Sequence, residues 1–206
     1  MERNATFQGV LSAAMAIAIA RFHDKSGSST IAFACPVDTR RDLDPHVPYE
    51  EVACCTGMID YRTKIQCRRR SSDVARRISE DVTEGRGSLR PLVVNKAIPV
   101  AFSMVGGDRL DPVSFCRKWS SALRYTTALS NVGRVDIADT EGLRVKSFYG
   151  TASPAPLGAI CGAIATFRGA PSCLLTYTNP DITDAEARGI ADAIVDILNK
   201  MLRKNE

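Results

Sequence analysis

The sequence predicts an α/β fold in which helices flank a mixed sheet, and three observations predict it. An apolar segment made largely of helix-forming residues covers Phe7–Phe22. Apolar and polar residues alternate over Ile59–Ile65, which is typical of a half-buried strand. Ala185–Leu202 repeats its apolar residues at helical spacing, with charges on the opposite side. The chain has 206 residues and no internal repeat or low-complexity linker, so we expect one domain covering residues 1–206.

Composition and charge narrow the classes of function. Hydrophobic residues make up 45% of the chain and charged residues 24%, an ordinary globular mixture. The net charge of +4 is not concentrated in a basic stripe interleaved with aromatics, so we expect no nucleic-acid partner. The seven cysteines include no C-x-x-C pair. They therefore suggest neither a disulfide framework nor a metal site, and a reducing cytoplasm fits best.

The first segment predicts a buried helix. Its apolar part, Val10–Ala20, is too short to cross a bilayer, and it ends in Arg21 rather than at a small-residue cleavage site. We therefore expect neither a membrane span nor a secretory signal. Thr6 is a suitable N-cap. Because the helix is apolar on nearly every side, other elements must surround it.

Two strands follow the first helix. Thr30–Val37 predicts a strand buried on both faces, and the proline-bearing Asp38–Tyr49 predicts an ordered loop. Val52–Ile65 predicts the second strand, with a bulge at Gly57. Its later half places one set of residues on a single face: Ile59, Tyr61, Thr63 and Ile65.

A basic run separates the second strand from the next helix. Arg68–Arg70 is typical of a solvated turn, with a phosphate site as the alternative. Ser72 and Asp73 are plausible N-caps for a helix over Val74–Glu84. Two further helices are predicted over Leu89–Val105, which Pro99 ends or kinks, and Asp111–Leu123.

The second half of the chain predicts a run of strands and a closing helix. After the stretch around Ser130, the strand candidates are Leu143–Tyr149, Ala159–Phe167 and Ser172–Tyr177. Arg168-Gly-Ala-Pro171 predicts a hairpin turn between the last two, and Asn179-Pro180 breaks the chain. Thr183 or Asp184 caps the final helix.

The stretch Thr126–Asp136 contains an interrupted strand. It is apolar or β-branched up to Leu129, breaks at Ser130-Asn131 and passes Gly133. Such an interruption predicts a bulge or a close approach to backbone, where a ligand can meet the main chain. The alternative is a plain bend with no ligand, because Asn and Gly are common turn residues.

Few residues suggest catalysis by themselves. The sequence contains no G-x-S-x-G, P-loop, dinucleotide fingerprint or H-E-x-x-H. His23 is a candidate general base, although a histidine favoured by the helix dipole is the plainer interpretation. His46 lies in the proline-bearing loop. We expect Cys35 and the pair Cys54-Cys55 to be buried in strands, which is a poor setting for a nucleophilic thiol.

Three blocks of sequence, in order, carry a resemblance to a known superfamily. They are Pro36-Val-Asp-Thr-Arg-Arg-Asp-Leu-Asp-Pro-His-Val-Pro48, Ala53–Asp60, and Leu129-Ser-Asn-Val-Gly-Arg-Val-Asp136. Together they resemble the CoA-dependent acyltransferases, which include plant BAHD enzymes, fungal alcohol and trichothecene acetyltransferases, and condensation domains of nonribosomal peptide synthetases. The resemblance covers nearly the whole chain but only the C-terminal half of the family fold.

The resemblance implies a chloramphenicol-acetyltransferase-like lobe, C-terminal half only. It implies transfer of an acyl group from a CoA or carrier-protein thioester to a hydroxyl or amine, with no bound cofactor. It places Ser130, Asn131 and Gly133 along the acyl-donor tunnel, and Asp38 and Arg40 in structuring the loop. The family's H-H-x-x-x-D motif, which supplies the general base, is absent. No catalytic residue is therefore assigned.

The departures from the family pattern leave three hypotheses. Ala53-Cys54 replaces the family's Gly-Asn, which puts the geometry of that strand in doubt. The first hypothesis is an acyltransferase lobe completed by an N-terminal half that covers the apolar first helix. That half would belong to a partner chain or to a longer gene product of which this chain is a piece. The second is a non-catalytic dimerisation or interaction module, or a degenerate remnant. The third is an unrelated α/β enzyme using Cys54 or His23.

Overall fold

The computed structural model describes residues 5–23, 28–66, 69–93, 125–154 and 158–203, together with positions 100, 103, 111 and 114. Most of the two helices expected over Leu89–Val105 and Asp111–Leu123 therefore lies outside the described residues; positions 90–93 are helical. No helix among the described residues is long and apolar enough to cross a membrane.

The sheet is mixed, as the sequence predicts, and among the described residues it has five strands rather than the six expected. In chain order they are β1 (Ser28–Asp38), β2 (Thr56–Gln66), β3 (Thr127–Val135), β4 (Ile160–Phe167) and β5 (Ala170–Tyr177). The spatial order is β2-β1-β3-β4-β5. The central strands β1, β3 and β4 are parallel, whereas β2 and β5 are antiparallel to their neighbours at the two edges. The carboxyl ends of the three parallel strands therefore lie at one edge of the sheet.

Three helices cover one face of this sheet: α1 (Phe7–His23), α2 (Ser71–Arg86) and α3 (Asp184–Arg203). Their core residues pack on inward-facing strand residues such as Phe33, Leu129 and Ile164, all almost fully buried. Phe33 stacks on Tyr61, with ring centroids 5.0 Å apart. The Tyr61 hydroxyl donates to Ser12 Oγ at 2.8 Å, which satisfies a polar group inside the core.

The expectation that a missing lobe covers α1 is wrong. α1 packs between α2 and α3 above the sheet, and its residues from Leu11 to Ala16 are all buried within this chain. Thr6 connects it to α2, because the Thr6 amide and hydroxyl both contact Ser79 Oγ, at 3.0 and 3.2 Å. The apolar character of α1 is explained by these neighbours, so it no longer supports a homodimer through this helix.

The structure confirms several local predictions. Thr6 caps α1 by accepting the Gly9 N–H at 3.1 Å. Thr183 caps α3 in a capping box, in which Glu186 N donates to Thr183 Oγ1 and Thr183 N donates to Glu186 Oε2. The β4–β5 hairpin turns at Arg168-Gly169, both with positive φ, which suits the right-handed twist of the two strands.

The second strand differs from its prediction. It begins at Thr56 rather than Val52, and Gly57 pairs with Val37 in an unbroken register with no bulge. A Cβ at Gly57 would lie 2.6 Å from atoms of Thr39 and Pro91, so the glycine is explained by close packing. The predicted face of Ile59, Tyr61, Thr63 and Ile65 is buried, as expected.

The strand expected over Leu143–Tyr149 is absent from the structure. Leu143 forms only an isolated bridge with Thr140, and the residues that follow have no ladder partner. Hydroxyls of β5 hold this segment instead: Ser172 Oγ donates to Phe148 O, and Thr176 Oγ1 donates to Ala152 O. These side-chain hydrogen bonds to single carbonyls fix the position of the segment, but they do not form a strand.

The start of α2 also differs. The helix begins at Ser71, with Arg70 at the N-cap position and no side-chain capping bond, rather than at Val74 after a Ser72 or Asp73 cap. Arg69 and Arg70 are exposed, in agreement with a solvated turn.

Candidate functional site

The sheet splits between β1 and β3. These parallel strands pair only at Phe33 with Thr127 and Ala34 with Ala128. Beyond this point β1 continues with β2 as far as Asp38, whereas β3 continues with β4. From Leu129 onward, β3 therefore has no described strand partner on its β1 side. Ligands of open α/β sheets bind at the carboxyl ends of parallel strands, so a ligand site is expected at this split.

A bulge follows in β3, as the sequence predicts. The register with β4 shifts between Asn131 and Arg134. Gly133 has a φ of 82°, and its N–H donates to Asn131 Oδ1 at 2.9 Å. The amide side chain thus holds the backbone in a conformation that glycine adopts easily. A Cβ at Gly133 would meet no atom within 4 Å, so the space above the bulge is open.

Ser130, Asn131 and Gly133, the three predicted tunnel residues, lie in this bulge or directly before it. Ser130 and Asn131 are half-buried. Alternation along the strand places Ser130 on the same face as Ala128, which packs with Ala34 and Cys161 on the side away from the helices. Ser130 and Asn131 thus lie in the middle of β3, where the strand has no described partner on its β1 side.

Gln8 lies across the split, and sequence reasoning missed it. Its Nε2 is 3.4 Å from Leu129 O on β3 and 3.5 Å from Cys35 Sγ on β1. Its Oε1 is buried and has no hydrogen-bond partner among the described residues. A buried amide oxygen without a partner is costly, which is typical of groups kept for a ligand. The available signal was a polar residue in the first turn of an otherwise apolar helix.

The loop after β1 lies at the same edge of the sheet, and its Arg40 and Asp38 side chains are paired within the chain. The Arg40 guanidinium donates to Pro48 O at 2.7 Å and Ala53 O at 3.0 Å. Asp38 Oδ1 accepts the Arg40 N–H at 3.0 Å and lies 4.0 Å from its Nε. Arg40 thus connects both ends of the loop, and two of the five N–H groups of its guanidinium donate to backbone carbonyls.

Neither histidine of the chain is placed to act at the split. His23 ends α1, fifteen residues after Gln8, which corresponds to roughly 22 Å along a helix. His46 Nδ1 lies 2.8 Å from Leu43 O on the exposed surface of the loop. His23 is therefore far from the split, and the His46 imidazole is bonded to a carbonyl of its own loop.

The described thiols do not form a nucleophilic site at the split either. Burial raises the pKa of Cys35 to about 11, and burial raises that of Cys161 to about 11 as well. Neither is therefore a thiolate at neutral pH. Cys54 is exposed and Cys55 half-buried in the coil before β2, so the expectation of two buried strand cysteines is wrong.

Comparison with known proteins supports the fold expected from the resemblance. The trichothecene 15-O-acetyltransferase TRI3 from Fusarium sporotrichioides superposes with a TM-score of 0.66 at 12% identity. The match covers 96% of this chain and 42% of that one. The epimerization domain from the third module of tyrocidine synthetase B gives 0.60 at 9% identity, covering 97% and 42%. Polyketide synthase associated protein 5 from Mycobacterium tuberculosis gives 0.57 at 15% identity, covering 97% and 47%.

The chain thus spans less than half the length of each of these structures. No curated protein matches its sequence. Residues 2–179 match the protein family described as phthiocerol/phthiodiolone dimycocerosyl transferase C-terminus, which takes in the whole sheet, the split and the bulge. The chain therefore belongs to this family and has the fold of the C-terminal half of a condensation-type acyltransferase.

Proposed function

We propose that this chain is the C-terminal lobe of an enzyme that transfers an acyl group from a CoA or carrier-protein thioester to a hydroxyl or amine. Its family and fold support acyl transfer as the class of reaction. The split between β1 and β3 is the observation that locates the proposed binding site. There an unpaired strand edge, an open glycine bulge and the buried Gln8 Oε1 occur together.

The pantetheine arm common to CoA and carrier proteins fits this chemistry. It is a narrow chain with two amide groups, each of which has one N–H donor and one C=O acceptor. Gln8 Oε1 would accept an arm N–H, and the Ser130 hydroxyl or the Asn131 amide nitrogen would donate to an arm carbonyl. Gly133 would let the arm approach the backbone, because no Cβ stands in the way.

The general base in this proposal comes from a second lobe that carries the H-H-x-x-x-D motif. That lobe would lie against the same edge, where several apolar side chains of this chain are exposed, including Val132 and Ile137. The acceptor hydroxyl or amine would lose its proton to the partner's histidine as it attacks the thioester carbonyl, and the CoA or carrier thiolate would leave. This lobe's part is to bind and orient the donor arm.

Two assays test the proposal. Pantetheine binding to the 206-residue chain is measured by titration calorimetry for wild type and for Asn131→Ala, with Lys64→Ala on the exposed face of β2 as the matched control. We expect binding that Asn131→Ala weakens and Lys64→Ala leaves unchanged. Equal affinity in all three proteins, or no binding in any, would remove the donor site from the split.

The second assay addresses the missing base. The chain alone is incubated with acetyl-CoA and a simple alcohol, and release of the CoA thiol is followed. We expect no release above the buffer rate until a partner carrying H-H-x-x-x-D is added. Transfer by the chain alone would contradict the view that its base is supplied from elsewhere.

A further inference from the structure

A cavity lies on the helix-covered face of the sheet. It has a volume of about 600 Å³ and opens between the first turns of α1 and α2, the end of α3 and the β4–β5 hairpin. Its apolar walls include Phe7, Val10, Leu11, Ile164, Leu198 and Met201. This volume is within the range of small-molecule sites, and an apolar lining of this kind suits an aliphatic chain.

One end of this cavity is positively polarised. Arg70 is the only charged residue among its described lining residues, and no ion pair within the described chain occupies its guanidinium. Ser71 and Ser72 line the same end and form the first turn of α2, which has no side-chain cap. A guanidinium beside a helix N-terminus favours an anion, and no carboxylate is among the described lining residues to oppose it.

The cavity is separate from the split that we propose for the donor arm. Ile164, at its floor, belongs to the core beneath the helices, whereas Ser130 follows Ala128 on the opposite face. None of Gln8, Ser130, Asn131 and Gly133 lines the cavity. A ligand in the cavity therefore needs neither a thioester nor a second lobe, and the two proposals can fail independently.

We propose that this cavity binds a single fatty acyl chain with an anionic head, such as a fatty carboxylate, whose head lies at Arg70 and the first turn of α2. The apolar walls would exclude water from the alkyl chain, which supplies most of the affinity. The head would accept the guanidinium N–H groups and the free N–H groups of Ser71 and Ser72. This arrangement selects for negative charge at one end and for aliphatic length at the other.

Three ligands with the same alkyl chain test the charge preference. Dodecanoate, dodecanol and dodecyltrimethylammonium are titrated below their micellar concentrations into the 206-residue chain. We expect dodecanoate to bind with one-to-one stoichiometry and at least tenfold more tightly than the alcohol, and the cation to bind weakest. Lengthening the carboxylate from eight carbons should raise affinity by roughly fourfold per methylene until the cavity is full.

Variants test which residues contact the anionic head of the ligand and which contact its alkyl chain. Arg70→Gln should remove the preference for dodecanoate over dodecanol, and Arg70→Lys should keep part of it. The matched control is Arg69→Gln, an exposed neighbour that does not line this cavity and should change nothing. Leu198→Trp should fill the space and weaken all three ligands, with circular dichroism and the melting temperature verifying that it folds.

Thiol labelling locates the ligand without relying on any variant. Cys173 lines the cavity and is exposed, whereas Cys54 is exposed in the loop before β2. Dodecanoate should slow iodoacetamide labelling of Cys173, measured by peptide mass spectrometry, and leave Cys54 unchanged. Pantetheine should protect neither. An equal labelling rate at Cys173 with and without dodecanoate, or equal affinity for dodecanoate and dodecanol in wild type, would overturn the proposal.

Discussion

Two polar regions lie at the carboxyl ends of neighbouring parallel strands, and they use their polar groups differently. In the loop after β1, Arg40 directs its donors to two backbone carbonyls and to Asp38. At the β3 bulge and the split beside it, Gln8 has a buried oxygen with no partner among the described residues, which also leave the space above Gly133 open. Arg40 in the first region is bonded within the chain, whereas the second region has capacity left for a ligand.

This difference separates structural roles from binding roles at a single sheet edge. Both regions contain residues that the superfamily resemblance singles out, so sequence similarity alone does not rank them. The hydrogen bonds of the structure distinguish the two regions. A donor that is already paired within the chain must break that bond before it can bind a ligand. Substitutions in the loop should therefore change stability, and those in the bulge should change ligand binding.

The largest effect is expected at Arg40. Arg40→Ala removes charge-assisted bonds from a side chain that is only 14% exposed, and it leaves two loop carbonyls without their donor. We expect a loss of about 2 kcal/mol in the free energy of unfolding, measured by urea denaturation, with pantetheine affinity unchanged in the folded protein. Arg41→Ala is the matched control, because the Arg40 and Arg41 guanidinium groups both lie over the Tyr49 ring. It should lower the free energy of unfolding by less than about 1 kcal/mol.

The next effect concerns the bulge. Gly133→Ala places a Cβ at a φ of 82°, which we expect to cost about 1 kcal/mol of stability. Gly169→Ala in the β4–β5 turn has a φ of 80° and equally open surroundings, so it should cost a similar amount. Only Gly133→Ala should also weaken pantetheine binding, by about tenfold, which corresponds to about 1.4 kcal/mol. If both variants bind pantetheine as wild type does, the open space at the bulge is not used.

At Gln8, stability and binding should change in opposite directions. Gln8→Leu removes the unpartnered Oε1, so we expect the free energy of unfolding to stay the same or rise by about 1 kcal/mol, while pantetheine affinity falls. Gln66→Leu, at the exposed end of β2, is the control and should change neither property. A marked loss of stability in Gln8→Leu would show that Gln8 has a structural role, as Arg40 does.

The last effect is a pH dependence at the split, which appears only in alkaline solution. Burial raises the pKa of Cys35 from 9.0 to about 11, so the unfolded chain releases this proton at lower pH than the folded one. Its contribution to stability is therefore complete below pH 9 and is lost as the pH rises towards 11. Cys35→Ala should flatten the decline measured by chemical denaturation across that range. Cys54→Ala, in the exposed coil before β2, should leave the decline as it is.

Local patterns predicted the elements whose partners are encoded nearby. The alternation through Ile59 and Tyr61 predicted the buried face of β2, and the candidate caps Thr183 and Asp184 predicted the start of α3. The Ser130–Gly133 interruption predicted the bulge, because Asn and Gly act on their own backbone.

Several of the errors depended on distant contacts. Gly57 has a closely packed neighbour in Pro91, and the segment around Phe148 is held by hydroxyls of β5, neither of which a short window of sequence contains. The apolar α1 seemed to need a missing lobe because its actual neighbours, α2 and α3, lie up to about 180 residues further along the chain. Gln8 was missed for the same reason, since its importance depends on where β1 and β3 separate.

The central claim is that the split, and not the neighbouring loop, receives the pantetheine arm. Titrating pantetheine into the ¹⁵N-labelled chain and following its amide resonances tests this most directly. We predict shifts at the Gln8 side-chain amide, the Asn131 side-chain amide and the Gly133 N–H, with the resonances of Arg40 and its loop unmoved. Shifts confined to the Arg40 loop, or the absence of shifts at the split with saturating pantetheine, would contradict the account.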